Sequence, residues 1–162
     1  NKLLAEDLGV VLQETADVLS NFNIPGMKVL QQRIPNDTEH NEIHPKEWDL
    51  NIAAYTGTHD SPTIKQWLDE VDDIQIQFFN QYKESSSSLH ESDVWNFISL
   101  VWESPCQLAV TTIQDLLELG KEARFNIPGT KEKNWAWRLE DLDILKNIEK
   151  DLKKLNKSTD RA

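Results

Sequence analysis

"IAAYTGTHDSPT", residues 52–63, joins two kinds of chain. Ile52 to Tyr55 is short, apolar and mostly strand-forming. Thr56-Gly57-Thr58 has turn chemistry, and His59-Asp60 then puts two titratable side chains next to each other. Ser61-Pro62 suits the opening of a helix, which Ile64, Trp67, Leu68 and Val71 continue at helical spacing. The stretch reads as strand, loop, helix, the unit from which parallel sheets are built. Its local explanation is a helix cap: the side chain of Asp60 or Ser61 accepts a free N–H of the first turn.

The same rhythm extends on both sides. Lys2 to Ala5 is a short strand, closed by Glu6-Asp7 and Gly9, and Val11 to Phe22 is a helix ended by "NIPG" (23–26). Met27 to Leu30 is a second strand, followed by a long polar loop over residues 32–51. After the Ile52–Tyr55 strand and the helix from Pro62 come helices at 74–84 and 93–103, separated by a flexible "SSSS" at 85–88. Leu108 to Ile113 is a fourth strand and Gln114 to Leu119 a short helix. A second polar loop precedes a last helix, about Glu140 to Asn156, with Leu142, Leu145, Ile148, Leu152 and Leu155 on one face. This alternation predicts an α/β fold with a parallel sheet, organised as a single region over residues 1–162.

Composition narrows the chemistry. A net charge of −11 disfavours nucleic acid and anionic membrane surfaces as partners, because neither attracts a polyanion. A neutral ligand such as a sugar remains open, and six tryptophans could supply stacking faces as well as core. No apolar run approaches the roughly 20 residues that a membrane helix needs. The one cysteine, Cys106, allows no internal disulfide and suits a reducing cytoplasm. His40 and His44 stand four apart, but Pro45 and the loop composition argue against a helical metal pair.

Parallel strands bring the ends of the first and third strands to one rim, so Glu6 and Asp7 there face His59 and Asp60. Two carboxyl groups on one cavity can divide labour, one donating a proton and the other carrying negative charge. Cleavage of a glycosidic bond uses that pair, because its transition state is oxocarbenium-like.

"AEDLG" (5–9), "PGMKVLQ" (25–31), "YTGTHD" (55–60), "QDLLELG" (114–120), "EARFNIPG" (122–129) and "NWAWR" (134–138) resemble, in order, the C-terminal catalytic region of the 4-α-glucanotransferases, also called amylomaltases or disproportionating enzymes. The resemblance implies the C-terminal half of a (β/α)₈ barrel, about strands five to eight, with extra helices. It implies transfer of α-1,4-glucan segments between maltooligosaccharides by a retaining double displacement, with neither metal nor cofactor. Glu6 falls on the general acid/base and Asp60 on the transition-state stabiliser. His59 falls on a ligand of sugar hydroxyls, and Arg124 and Asn126 on a loop near the acceptor sugars.

Three departures qualify the match. The Arg-x-Asp-His type segment that carries the family's nucleophilic aspartate is absent from these 162 residues. Ser61-Pro62 stands where the family usually has Asn, and "KEK" replaces small residues before Asn134-Trp135. The chain opens without Met and is expected to be part of a longer enzyme, inactive without the missing N-terminal half. Exposed half-barrel edges are expected to make it self-associate. The rival expectation is a non-catalytic α-glucan-binding or helical interaction module. That module would use the tryptophans and the acidic surface; residue by residue, the bland readings are a solvated acid for Glu6, a helix cap for Asp60 and a hydrogen-bonded strand end for His59. Trp135, Trp137 and Arg138 are open to two roles, lining or buttressing the site and packing the core, of which core packing is favoured.

Overall fold

Three short strands, β1 (Gly26–Val29), β2 (Ile52–Tyr55) and β3 (Leu108–Val110), pair in parallel in the order β1-β2-β3. Met27 lies opposite Ala53, and Ala53 opposite Leu108, so the three C-terminal strand ends share one rim. The computed structural model describes residues 3–9, 12–37, 43–87 and 89–161. Ala53 and Ala54, neighbours on opposite faces of β2, are both buried, as expected where both faces of a parallel sheet are covered.

The helices are α1 (Gln13–Asn21), α2 (Leu30–Arg33), α3 (Ile64–Glu70), α4 (Asp73–Glu84), α5 (Asp93–Trp102), α6 (Ile113–Leu116) and α7 (Glu149–Ser158). The core centres on α5. Val94 to Val101 are all buried, including Phe97, Ile98 and Leu100 at zero exposure, and a helix apolar on every side must be covered on every side. It contacts α3, α4, α6, β2 and β3. Trp67 of α3 and Phe79 of α4 interlock with its Phe97, with ring centres 5.3 to 6.4 Å apart.

Several boundaries depart from the sequence expectation. In the expected first strand Lys2 lies outside the described residues, and Leu3 to Ala5 do not join the sheet. One ladder-like bond survives, from Ala5 N–H to Pro25 O at 2.9 Å. Two residues on, the Asp7 carboxylate takes the N–H of Met27 at 2.6 Å, the donor a continuing strand would have used. The fourth strand ends at Val110 because Thr112 already caps α6, its hydroxyl accepting the N–H of Asp115 at 3.3 Å. The expected last helix begins late: Leu142 to Asn147 is a 3-10 turn with Leu142 72% exposed, and only Ile148, Leu152 and Leu155 reach the core.

The serine run is anchored rather than loose over Ser85–Ser87. Glu103 accepts from Ser86 Oγ at 2.9 Å and from Ser87 Oγ at 2.7 Å, and pairs with Lys46 at 3.2 Å. Burial works against the Glu103 charge, but hydrogen bonds from Ser87, Ser86 and Lys46 hold its carboxyl below the usual range. His44 belongs to the same cluster, 2.8 Å from Ser85 Oγ, and burial lowers its pKa. His40, its expected neighbour, lies outside the described residues.

Asp7 reaches β1 only because residue 26 is glycine: a Cβ there would sit 2.3 Å from Asp7 Oδ2. Gly26→Ala is expected to cost about 1–3 kcal/mol in urea denaturation. The penalty should shrink by about 1 kcal/mol or more in an Asp7→Ala background, as contacting residues couple. Equal penalties in both backgrounds would show that this approach does not constrain the fold.

Candidate active site

The loop from Thr56 to Thr63 carries the site, and its backbone is tied down on several sides. Ser61 Oγ accepts the N–H of Thr58 at 2.9 Å, and Gln31 Nε2 donates to Pro62 O at 3.0 Å. Helix α3 starts at Ile64, where Thr63 is its cap, accepting the N–H of Gln66 at 3.1 Å. The Ile64 N–H goes to Asp115 Oδ1 at 2.8 Å. Neither Asp60 nor Ser61 therefore caps this helix, which removes the local explanation for the His-Asp pair.

Asp60 is engaged elsewhere. Asn126 Nδ2 donates to its Oδ1 at 2.5 Å, and Arg124 Nη2 donates to its backbone oxygen at 2.9 Å. Arg124 Nε also donates to Asn126 O at 3.0 Å, so one guanidinium joins both loops. His59 Nε2 lies 3.4 Å from the same Asp60 Oδ1, and the two side chains are about half exposed (51% and 48%). Four of the five residues singled out in the sequence thus form one constellation, although 64 residues separate Asp60 from Arg124.

Glu6, the fifth, is exposed and lines a cleft of about 620 Å³ together with Gln32, Tyr55, Thr58, His59 and Asp60. A smaller cavity of about 370 Å³ lies on the other side of the His59 loop, lined among others by Gln114, Phe125 and Trp137. Two carboxylates with a histidine on one open cleft can hold sugar hydroxyls and move a proton, given a bond positioned between them. No group of three or more His, Cys, Asp or Glu side chains suited to a metal occurs among the described residues.

Asp115 holds the rim from beneath. It is 2% exposed, accepts from Ile64 N–H, and takes the Thr56 hydroxyl on Oδ2 at 3.1 Å. Its place in the expected helix from Gln114 to Leu119 gives no local sign of this role. For Trp135, core packing is the favoured expectation. It is instead 53% exposed, with its ring 5.1 Å from that of His59. The nearest sequence signal for it was its place in "NWAWR", directly after Asn134, whose Oδ1 accepts the N–H of Ile127 at 2.9 Å.

Comparison with known proteins adds an independent finding. A family model described as 4-alpha-glucanotransferase matches residues 1–145. A 4-alpha-glucanotransferase of Clostridium butyricum is 34% identical over 145 residues, covering 86% of this chain and 28% of that protein. One from Thermus thermophilus is 38% identical over 142 residues, covering 85% and 28%. An amylomaltase from Streptococcus agalactiae, solved in complex with acarbose, superposes with a TM-score of 0.86 at 26% identity. The match covers 97% of this chain and 31% of that one. The chain therefore spans under a third of the length of these relatives.

Burial pushes the Asp115 carboxyl above its ordinary value, outweighing the bonds from Ile64, Thr112 and Thr56. A folded-state pKa above the unfolded value, about 3.9, means that the folded state holds the proton more tightly. The stabilisation is complete below the unfolded value and is lost as pH rises through the folded one. Asn can keep both contacts, accepting from Ile64 and donating to the Thr56 oxygen. Urea denaturation across the acidic range is expected to show this loss with rising pH in the wild type and its absence in Asp115→Asn. The same slope in both proteins would clear Asp115 of the effect.

Proposed function

The chain belongs to the 4-alpha-glucanotransferase family, and we propose that it supplies strands five to eight, the C-terminal half, of a (β/α)₈ barrel that transfers α-1,4-glucan segments between maltooligosaccharides. The observation that carries this reading is the 620 Å³ cleft, on which Glu6, His59 and Asp60 open together while Asn126 and Arg124 fix Asp60 from the opposite loop.

In the proposed reaction Glu6 protonates the leaving glycosidic oxygen while an aspartate from outside these 162 residues attacks the anomeric carbon. The glycosidic bond breaks, a covalent glucosyl-enzyme forms, and the leaving glucan departs with the proton. Asp60 and His59 hold hydroxyls of the distorted ring, and the Asp60 charge offsets the oxocarbenium character of the transition state. Glu6, now a carboxylate, takes the proton of an acceptor 4-hydroxyl, whose oxygen displaces the aspartate and restores an α-1,4 bond with retained configuration. Arg124 and Asn126 bear on acceptor binding through their grip on Asp60. No metal or cofactor enters this scheme. A cytoplasmic setting goes with it, since the buried Cys106 is a free thiol.

Two experiments test the reading. In the full-length gene product, Glu6→Gln and Asp60→Asn should each lower maltotriose disproportionation by about 10²-fold or more with folding intact. Near-normal transfer in either variant removes the catalytic role of that residue. The 162-residue chain alone should show no transfer. It should also self-associate in light scattering, because Leu3, Leu4, Phe22 and the β3 residue Leu108 are exposed, and β3 is an edge strand of the sheet. A stable monomer would count against the half-barrel reading.

A further inference from the structure

Trp135 is the residue that this chemistry leaves unexplained. Tryptophan is highly buried on average, and Trp48, Trp67 and Trp95 are all in the core. Trp135 instead is 53% exposed, with a backbone φ of +62° in the left-handed region that suits glycine or asparagine. The surroundings enforce that conformation from several directions. Its N–H donates to Phe125 O at 2.8 Å, and Arg138 Nη1 donates to its own carbonyl at 3.0 Å. Asn134 closes the loop just before it, accepting the N–H of Ile127 at 2.9 Å and donating to Thr130 O at 3.0 Å.

Core packing does not account for an enforced left-handed residue whose side chain stays in solvent. Its position does. The indole centre lies 5.1 Å from the His59 imidazole at 36°, and 5.0 Å from the Phe125 ring at 84°. Phe125 flanks it edgewise and His59 covers part of it, and the remainder stays open beside a residue that lines the cleft. Strain maintained at such a place points toward function.

We propose that Trp135 is an aromatic platform on which a glucose ring of an α-glucan stacks at the rim of the cleft, next to His59. The C–H face of a pyranose is apolar and uncharged, so it suits an indole face and meets no repulsion from a chain of net charge −11. The inference rests on the glucan reading proposed above. Trp135 touches the sugar without taking part in bond making, so its loss weakens binding rather than turnover.

The backbone conformation provides the test. Glycine is unstrained at positive φ, so Trp135→Gly removes the ring while relieving the chain. In the full-length gene product, the KM for maltotriose should rise about tenfold, the scale of one aromatic contact. The kcat should stay within about threefold, as expected when binding alone is lost. The melting temperature should hold or increase. Trp135→Phe, which keeps a ring, should return KM to within about threefold of the wild type. An unchanged KM in Trp135→Gly would overturn the platform. So would a raised KM accompanied by a lower melting temperature, since the ring would then be scaffold. A wild-type protein without maltotriose transfer would instead remove the glucan reading, a separate failure.

Discussion

The buried carboxylate of Asp115 is the constraint on which the site depends. One oxygen takes the first N–H of α3 and the other the hydroxyl of Thr56 at the end of β2. Both contacts run from α6, just after β3, to the segment that joins β2 to α3, so the two strand ends are held together at the rim. A buried charge is costly unless its acceptor positions are filled. Here burial wins in part, since the carboxyl is pushed above its ordinary value despite three hydrogen-bond donors. The arrangement therefore leaves part of the cost of burying the charge uncompensated. What it does is fix where α3 begins, and with it the path of the loop that carries His59 and Asp60.

With the Gln66 N–H taken by Thr63 and the Ile64 N–H by Asp115, Asp60 is released from local duties. It can then be set by residues from far along the chain. Asn126 and Arg124 hold its side chain and backbone, while the Asp7 carboxylate pins the segment carrying Glu6 against β1. Of the two titratable pairs adjacent in sequence, Glu6-Asp7 divides between tasks and His59-Asp60 does not. Asp7 bonds the fold together and Glu6 faces the cleft, while His59 and Asp60 both remain half exposed on it.

Much of this was legible in the residues. The parallel sheet followed from strand-loop-helix alternation, and β2 lies where "IAAY" placed it. The grouping of His59, Asp60, Arg124 and Asn126 came from family motifs, not from periodicity, and the structure brings those four into contact. Other features lay beyond local reading. "SSSS" has the composition of a linker, yet Glu103 gathers Ser86 and Ser87 from 17 and 16 residues away, a partnership that no window reveals. Leu142 has the spacing of a core helix but finds nothing to pack against. Trp135 carries the residue type of a core position, and only its positive φ and its exposure set it apart.

The amino-acid sequence by itself determined the class of fold and most of the order of its elements, and its motifs singled out the side chains that meet at the rim. Those depend on period, turn residues and short motifs, which act over a few residues and survive without context. Only the tertiary structure decided what each side chain is for. Whether Asp60 caps a helix or faces a cleft depends on whether Thr63 and Asp115 already satisfy the α3 N–H groups. Thr63 meets its share three residues away, but Asp115 meets the other from 51 residues along the chain, across the fold.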